Sequence, residues 1–508
     1  MSNNKQIAKN LSFNTASFVI NFIISFFFTP YLIRTVGKEA YSFFPLVNNM
    51  IGYSSIITTA VGSMAGRFIT MRIYKNDVEG ANRYLNSMWV SNFFLSALFT
   101  VISVFCIVYI DKLLAVPEYL LADVRWLFGC GAFSLVLGLL TGYLSLATYV
   151  KNRVDLSSLQ GVACNLVRIL CVIALFAFFN PSIVYMSLSA VVAGLVGLCI
   201  SYNFKQRLLP ELTIAPRRYF SFRLVKELIS SGVWNSVNQL SNVLLYQLDL
   251  LITNIFIGAA ATGDYAIAKT APTLILNFLA MFAGTFVPHF NILYAQDKVD
   301  ELVKDVRKSM IIVSLFIGLP IGFLVVYSDC FYNLWVPGQD SNMLYWMTFI
   351  TLLPMIFGGS INPVFGIYSV TNRLRIPSLV LLGAGLLNVA IIYILLKTTS
   401  LGIWAIIIVS AIQGGLRNAL FSPVYGALCL KRKWTTFYPT MLRGILGMLV
   451  VVVIGACLRS VFVVDSWMAF FGVGIITCVF ALFANCYIIM NRTERQHLFA
   501  VARTKLHI

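Results

Sequence analysis

The sequence predicts an all-α polytopic membrane protein with about 14 transmembrane helices. Three observations carry this prediction. First, 59% of the 508 residues are hydrophobic and only 11% are charged, whereas about a quarter of the residues in a soluble domain are charged. Second, apolar runs long enough to cross a bilayer recur along the whole chain, unlike the short alternating segments of a membrane β-barrel. Third, the basic residues are concentrated in every second loop.

Fourteen spans are predicted, with boundaries set to within about 3 residues. They lie near residues 11–33, 42–66, 84–110, 126–149, 158–178, 183–203, 229–257, 266–292, 308–328, 343–368, 377–396, 401–427, 439–459 and 466–490. The first apolar run is too long for the core of a cleavable signal peptide, so none is predicted.

The loops divide the basic residues unevenly. Loops on the same side as the N-terminus, here called the basic side, hold 27 of the 37 Lys and Arg, and the opposite loops hold seven. The positive-inside rule therefore predicts that the basic side is cytoplasmic and that both termini lie there. The net charge of +18 indicates topology and contact with membrane lipid headgroups, so no nucleic acid partner is expected.

The sequence offers no enzymatic motif. The ten cysteines lack metal-ligand spacing and histidine partners, and most fall inside apolar spans. No Walker loop, HExxH or GxSxG motif occurs, and the chain has only three histidines. We therefore expect no enzyme activity, no metal and no bound cofactor.

The second half of the chain repeats features of the first. Span 1 is followed by "LIRTVGKEAYSFFPLV" and span 7 by "ITNIFIGAAATGDYAIAK", and both pass through Gly to a Tyr. Spans 2 and 8 end in a basic residue followed by Phe, at Arg67 and His289. Transporters built from such repeats hold the substrate path between them. The predicted domains are an N-lobe at 1–204 with spans 1–6, a basic cytoplasmic linker at 205–228, a C-lobe at 229–430 with spans 7–12, and spans 13–14 with a basic tail at 431–508.

Three stretches carry a family resemblance: "TPYLIRTVGKEAY", "GDYAIA" and "LLNVAIIYILLKTTSLGIWAIIIV". With the six-plus-six layout, they resemble the polysaccharide flippases of the multidrug/oligosaccharidyl-lipid/polysaccharide exporter superfamily, the Wzx-type proteins of O-antigen and capsule assembly. The resemblance implies two pseudo-symmetric six-helix lobes around a central cavity, plus two C-terminal helices. It also implies that undecaprenyl-pyrophosphate-linked oligosaccharide moves from the inner to the outer leaflet of the bacterial cytoplasmic membrane by alternating access. Lipid-linked oligosaccharide and other polysaccharide assembly proteins are the implied partners.

An anionic pyrophosphate needs cations, so charged residues inside spans are the first candidates. Arg168 lies near the middle of span 5, with Asn165 one helical turn away on the same face. An arginine at that depth faces protein or water, and a phosphate contact or a structural ion pair explains it. Arg417 in span 12 is a second candidate, with snorkelling to lipid headgroups as its alternative.

Four further basic residues sit at span ends. Arg34 and Lys269 occupy similar places in the two repeats, on the side opposite the basic side. We expect them to receive the pyrophosphate in the outward-facing state, or else to form salt bridges there. Arg67 and His289 are their counterparts at the basic side, where they meet the incoming substrate or anchor the helices at the interface.

Asp249 is the only acidic residue well inside a predicted span. Three interpretations stay open: an ion pair with a cation such as Arg168 or Lys269, binding of H⁺ or Na⁺ that couples transport to a gradient, or a structural hydrogen-bonding role. Asn238, Asn242 and Asp249 follow helical steps of four and seven, which predicts a polar stripe facing a wet cavity.

Other functions remain to be weighed. A cation-coupled multidrug exporter of the same fold would carry more than one intramembrane carboxylate. A flippase for lipid-linked peptidoglycan precursors shares both fold and charge pattern. A membrane glycosyltransferase or glycan polymerase would need a large outer loop with catalytic residues. The surplus of intramembrane cations favours an anionic substrate.

Overall fold

The fold is that of a computed structural model, which describes residues 3–489 and 495. Within these residues every regular element is helical. Twelve of the described helices are long and apolar enough to cross a membrane. The all-α polytopic class predicted from the sequence is therefore confirmed.

The chain forms two compact units, Met1–Gly263 with Ser378–Leu386, and Asp264–Pro377 with Leu387–Ile508. The first twelve helices are α1 (Asn3–Val36), α2 (Lys38–Gly52), α3 (Ser55–Tyr74), α4 (Val78–Val108), α5 (Ile110–Leu113), α6 (Leu121–Thr141), α7 (Leu146–Val150), α8 (Val154–Phe178), α9 (Val184–Leu208), α10 (Pro216–Tyr219), α11 (Phe222–Asn242) and α12 (Leu248–Phe256). Short 3₁₀ turns cover Glu118–Leu120 and Gly142–Leu144, and a π-helical turn covers Val243–Gln247.

The remaining helices are α13 (Ala259–Gly284), α14 (Val287–Ala295), α15 (Val299–Trp335), α16 (Ser341–Val370), α17 (Arg375–Thr398), α18 (Ile403–Leu416), α19 (Ser422–Cys429), α20 (Tyr438–Val461) and α21 (Trp467–Ile488). A π-helical turn covers Arg417–Phe421, and a 3₁₀ turn covers Trp434–Phe437. The lobe and linker boundaries inferred from the sequence stay a prediction.

The second and seventh predicted spans are the two in which the described residues form no helix that is long and apolar enough to cross a membrane. Span 2 is split into α2 and α3, and span 7 is built from α11, a π turn and α12. A π turn leaves backbone carbonyls without their usual α-helical donors. Side chains of α2 and of the break that follows it supply replacements, since Asn49 Nδ2 and the Tyr53 hydroxyl donate to the carbonyl oxygen of Gln247 at 3.3 and 3.2 Å. Polar residues in these two spans thus satisfy irregular backbone inside the first unit.

Five described residues other than glycine adopt the left-handed conformation: Asn76, Asn152, Asp297, Asn372 and Lys431. Each follows an even-numbered span, so all five turns lie in loops of the basic side. In each turn the next residue's N–H reaches back five residues, as from Asp77 to the Arg72 carbonyl at 2.9 Å and from Arg153 to the Thr148 carbonyl at 2.8 Å. This pairing closes the end of the preceding helix and reverses the chain.

The turns repeat with a constant spacing. Asn76 and Asp297 are 221 residues apart, and Asn152 and Asn372 are 220 apart. Gly37, which has a φ of 85°, lies 221 residues before Gly258, which has a φ of 123°. Local backbone geometry therefore recurs at the period expected of the internal repeat.

Side chains of α4 hold part of the predicted linker in place. Asn82 accepts from the Thr213 N–H at 2.7 Å and donates to the Glu211 carbonyl at 3.1 Å. One turn later Asn86 accepts from the Ala215 N–H at 2.7 Å and donates to the Thr213 carbonyl at 2.9 Å. Both asparagines are buried, and they satisfy an extended backbone much as a neighbouring β-strand would.

In the second unit, α15 packs against α20 through small residues. A methyl group added at Gly322 would lie 2.8 Å from the Val451 side chain, and the Tyr327 hydroxyl donates to the Gly455 carbonyl at 2.9 Å. Small residues let membrane helices approach closely and gain dispersion contacts. Span 13 is thereby fixed to span 9.

In the first unit, α3 and α11 approach most closely at Gly232, whose Cα faces the Ala60 carbonyl. On either side of this contact Asn235 Nδ2 donates to Ser63 Oγ at 3.1 Å, and Gln239 Nε2 donates to Ser55 Oγ at 2.8 Å. Polar side chains at such a crossing act as interhelical hydrogen bonds.

We predict that Gly232→Ala lowers the stability of the protein, because the new methyl group would overlap the Ala60 carbonyl oxygen and force the two backbones apart. Overpacking of this kind costs about 1–3 kcal/mol. Gly161→Ala in α8 is the matched control, since open space surrounds that position and alanine is the better helix former by about 1 kcal/mol. Thermal unfolding of both purified variants in one detergent gives the comparison. Equal melting temperatures for the two variants would contradict the predicted contact.

Candidate functional site

A cavity of about 380 Å³ lies inside the first unit, where the end of α6 and the 3₁₀ turn after it meet α8 and α9. Small residues of α9, among them Ala193, Gly194 and Gly197, leave the space open. The polar side chains that line it are Thr141, Ser145, Gln160, Asn165, Arg168 and Ser201. A volume of this size lies at the lower end of the range for small-molecule sites, roughly 300–1,000 Å³.

Arg168 is the one charged residue among the described residues that line the cavity. Its Nε is fully buried without a hydrogen-bond partner, and its guanidinium makes no hydrogen bond or ion pair with any described residue. Arg168 as a whole is half-buried, and the buried part of its guanidinium is costly without an anion, because no carboxylate of the described residues compensates its charge. The cavity is therefore suited to an anionic ligand, which would use the guanidinium as a bidentate donor.

Amide side chains position α8 around the cavity. Asn165 Nδ2 donates to Asn21 Oδ1 of α1 at 2.6 Å. Gln160 Nε2 donates to the Gly197 carbonyl at 2.9 Å and to Ser201 Oγ of α9 at 2.7 Å. Because these bonds hold α8 on both sides, Arg168 projects from a fixed helix. Asn165 and Arg168, predicted as neighbours, do line the same cavity.

The spacing of the repeated turns gives Arg168 a counterpart 220 residues later, Asn388 in α17. Asn388 is buried, and its Nδ2 donates to Ser410 Oγ of α18 at 3.3 Å. The same position thus carries a satisfied amide in the second unit and a cation without a described partner in the first.

Arg417 is held by protein groups in the second unit. Its Nε and Nη2 donate to Asn418 Oδ1 at 3.1 and 2.9 Å, and its guanidinium lies 5.9 Å from the centre of the Phe365 ring. Asn418 Nδ2 in turn donates to the Pro354 carbonyl at 3.0 Å. Arg417 begins the π turn in span 12, so its contacts also fix an irregular stretch of helix.

Arg34 and Lys269 differ in their surroundings. Arg34 ends α1, is exposed, and makes no hydrogen bond or ion pair within the described part of the chain. Glu39 is engaged elsewhere, because it accepts a hydrogen bond from the Tyr119 hydroxyl at 2.9 Å. Lys269 is half-buried in the second unit, with its Nζ 5.2 Å from the centre of the buried Tyr265 ring.

Arg67 and His289 lie at the basic side of their units. Arg67 is exposed in α3, seven residues before the end of that helix, and has no described partner. His289 Nε2 lies 2.7 Å from Asp305 Oδ2, and both side chains are exposed. His289 is therefore paired with a carboxylate of its own unit, while Arg67 stays open to a ligand.

Asp249 is 2% exposed and directly follows the π turn of span 7. Asn242 is half-buried and Asn238 is exposed, and neither is hydrogen-bonded to a described residue. The step from Asn242 to Asp249 crosses the π turn, which inserts one extra residue and rotates the later residues by about 100°. The π turn therefore rotates Asp249 away from the face that Asn238 and Asn242 share, and a role for the three residues in a wet cavity stays a prediction.

Sequence reasoning missed part of the cavity lining, although the pattern was present. Gln160 and Arg168 are two turns apart on one face of α8. Gly194, Gly197 and Ser201 follow steps of three and four on α9, and such a row of small residues marks a close helix contact. Pairing the two faces would have identified the cavity, but neither face stands out in a uniformly apolar span.

Comparison with known proteins gives a family and a fold. The family model described as polysaccharide biosynthesis protein matches residues 7–294. A Bacillus subtilis (strain 168) protein described as the uncharacterized membrane protein EpsK is 30% identical over 492 residues, which is 96% of either chain.

Two solved structures share the fold. A multidrug resistance MATE family transporter of the MOP superfamily, in an inward-facing conformation, matches with a TM-score of 0.65 at 14% identity and covers 80% of this chain and 94% of its own. The lipid II flippase MurJ, in an inward closed conformation, matches with a TM-score of 0.65 at 12% identity and covers 93% and 97%. At these identities the likeness concerns the fold alone.

We predict that Gly194→Leu fills the cavity without destabilising the protein, because open space surrounds this glycine. Labelling by a small maleimide reports the result, in a variant that keeps only Cys164, a cavity-lining thiol. Labelling of Cys164 should slow at least tenfold, while the melting temperature stays within about 2 °C of the parent, as for a change of under 1 kcal/mol in a protein of this size. Gly138→Leu in α6 is the control, since that glycine has equal space and does not line the cavity. Unchanged labelling in Gly194→Leu would show that the cavity does not admit the reagent by this route.

Proposed function

Because the chain belongs to the polysaccharide biosynthesis protein family, we propose that it is a flippase for undecaprenyl-pyrophosphate-linked oligosaccharide. It moves this lipid from the inner to the outer leaflet of the bacterial cytoplasmic membrane by alternating access, for the assembly of a surface polysaccharide such as O-antigen or capsule. The observation that carries the proposal is the unneutralised Arg168 in the cavity of the first unit.

The chemistry of the substrate fits this cavity. A pyrophosphate carries adjacent anionic oxygens, which a planar guanidinium binds with two parallel hydrogen bonds. No carboxylate is among the described lining residues to compete for it. The desolvation cost of Arg168 is thus offset when the anion arrives, so the anionic lipid is favoured over neutral lipids.

The remaining parts of the substrate need different surfaces. Hydroxyl and amide groups of Thr141, Ser145 and Asn165 lie around Arg168 and are the kind of group that binds sugar hydroxyls. The cavity is too small for an entire oligosaccharide, so most of the glycan lies outside it. The polyprenyl tail stays in the surrounding lipid, so its movement between leaflets exposes no apolar surface to water.

Other basic residues act along the path. We assign Arg34 and Lys269 to reception of the pyrophosphate in the outward-facing state, and Arg67 and His289 to its arrival from the cytoplasm. Arg34 and Arg67 are exposed without described partners, which favours a role in binding. Arg417 is assigned to substrate as well, because it is a second arginine inside a predicted span.

Polar residues of span 7 complete the proposed path. Asn238 and Asn242 form a face of α11 whose amides have no described partner, so they are available to sugar hydroxyls. Asp249 is assigned to coupling with H⁺ or Na⁺, since its burial beside a π turn is typical of functional carboxylates.

The proposed function also implies a location and protein partners. The 27 basic residues on the side of the N-terminus favour a multi-pass protein of the bacterial inner membrane with both termini in the cytoplasm. Other polysaccharide assembly proteins are the proposed protein partners. The protein acts as a transporter and not as an enzyme, and an ion gradient in place of a bound cofactor drives its cycle.

Two related functions make different demands on the cavity. A cation-coupled multidrug exporter needs an anionic or aromatic pocket, and Arg168 would repel its substrates. A flippase for lipid-linked peptidoglycan precursors shares the pyrophosphate, so the cavity suits it equally well. Membership of the polysaccharide biosynthesis family favours the oligosaccharide lipid as the substrate.

We predict that Arg168→Met slows flipping of a fluorescent undecaprenyl-pyrophosphate oligosaccharide in proteoliposomes by about 10- to 100-fold. The range follows from about 1.5–3 kcal/mol for hydrogen bonds to a charged group, at about 1.4 kcal/mol per factor of ten. Arg443→Met is the matched control, because Arg443 is also half-buried in a span, has no described partner, and lies outside the cavity.

Three outcomes of this assay count against the proposal. Equal flipping rates for Arg168→Met and the wild type would show that the substrate does not use this cavity. Efficient flipping of lipid-linked peptidoglycan precursor, with none of the oligosaccharide lipid, would favour the related flippase. Export of cationic dyes without any flipping would favour the drug exporter.

We predict that an inward-directed proton or sodium gradient accelerates flipping by the wild type and has no effect on Asp249→Asn. Asparagine keeps the size and hydrogen-bonding capacity of the side chain but binds neither ion as a carboxylate does. Each gradient is imposed separately on the same proteoliposomes, and flipping without a gradient is the internal control. If Asp249→Asn keeps the full response, Asp249 is a structural residue. A variant that flips nothing under any condition would indicate that Asp249 holds a cavity cation in place.

A further inference from the structure

Lys205 in the last turn of α9 is a buried cation that the charge pattern alone does not explain. It is 8% exposed, and it makes no hydrogen bond or ion pair with any described residue. A lysine that served only the positive-inside rule would extend into water, as the exposed Arg207 does two residues later. The burial of the Lys205 ammonium group costs free energy, and no described anion offsets that cost.

The position of Lys205 on α9 connects it with the cavity. Gly197 and Ser201 line the cavity, and Lys205 follows them at steps of four on the same face of the helix. Both Ser201 and Lys205 are buried. Lys205 therefore lies one turn beyond the cavity lining, toward the basic side.

The register between α8 and α9 relates Lys205 to Arg168. Gln160 bonds to Gly197 and Ser201, and Cys164 Sγ lies 2.9 Å from a methyl group added at Gly197. This pairing places Arg168 opposite Ala193, so the Cα atoms of Arg168 and Lys205 are separated by roughly 18 Å along the helix axes, at 1.5 Å per residue. The cavity lies between them.

Side-chain direction closes much of that separation. In any α-helix the side chains lean toward the N-terminus. The two helices run antiparallel, since α8 starts at the basic side and α9 ends there. Arg168 therefore leans toward the basic side and Lys205 leans away from it, so the two long cationic side chains lean toward each other, Arg168 from the cavity lining and Lys205 from one turn beyond it.

We propose that Lys205 is the second phosphate-binding residue of this cavity and that it selects a diphosphate over a monophosphate. Arg168 binds one phosphate and Lys205 binds the other, on the side from which the lipid arrives. This inference rests on the proposed function and adds to it the headgroup that the cavity distinguishes. A lipid diphosphate and a lipid monophosphate share the tail and the first anionic group, so the second cation decides between them.

Binding measurements on the purified full-length protein in nanodiscs test the proposal. The probes are undecaprenyl diphosphate and undecaprenyl monophosphate, and the variants are Lys205→Met, Lys205→Arg and Arg207→Met. We expect the wild type to bind the diphosphate at least tenfold more tightly than the monophosphate. Lys205→Met should lose this preference through a rise of about tenfold in the Kd of the diphosphate, with little change for the monophosphate. Lys205→Arg should keep the preference, and Arg207→Met should match the wild type.

The preference ratio separates binding from structure, because a general loss of folding would weaken both probes equally. Melting temperatures identify a misfolded Lys205→Met, in which case Lys205→Gln, which keeps a polar end without charge, gives the same comparison. A wild-type preference that persists in Lys205→Met or Lys205→Gln overturns the role of Lys205 and leaves the proposed function intact. Failure of the wild type to bind either probe overturns the proposed function and this inference with it.

Discussion

A charge in hydrocarbon must be neutralised or must face water, and the polar residues of this chain are arranged around that requirement. Two buried or half-buried charges near helix ends are paired. Asp155, which is 2% exposed, lies 3.0 Å from Lys9 Nζ and 2.9 Å from Arg153 Nε. Arg459 bonds to Asp329 in the same manner in the second unit. Inside the spans, Arg168 and Arg443 are half-buried and make no ion pair with a described residue, and of the two only Arg168 lines the cavity, where the anionic ligand proposed above would supply the countercharge.

Neutral amides have the opposite role. Asn165 bonds to Asn21, and Asn388 bonds to Ser410. Each of these bonds joins two helices that hydrophobic burial alone would hold weakly, since lipid tails are as apolar as the side chains they contact. The amides thereby fix the helices from which the charged side chains project. Positioning and binding are thus divided between two classes of polar residue, and a rigid frame presents a cation whose own bonds stay open.

The sequence predicted the helical class, most of the spans and the place of Arg168 beside Asn165 on one helix face, because length, apolar content and isolated charge are visible in one dimension. It did not predict the π turn before Asp249, since the extra residue depends on contacts from α2 and the break that follows it. The predicted linker at 205–228 includes Lys205, because the apolar run of span 6 ends before it. In the structure α9 continues through Lys205, and only the packing shows that the side chain is buried. Arg417 looked equivalent to Arg168, and only its bonds to Asn418 distinguish the two.

The repeated turns at Asn76 and Asp297, and at Asn152 and Asn372, have an evolutionary consequence. A chain made of two copies of one folding unit can keep the backbone signals that both copies need while their interiors diverge. The second unit carries a hydrogen-bonded amide at Asn388, and the first unit carries at the matching position Arg168, a cation without a described partner. After a duplication, one half of the chain can therefore acquire residues for binding while the other half keeps the contacts that stabilise the fold.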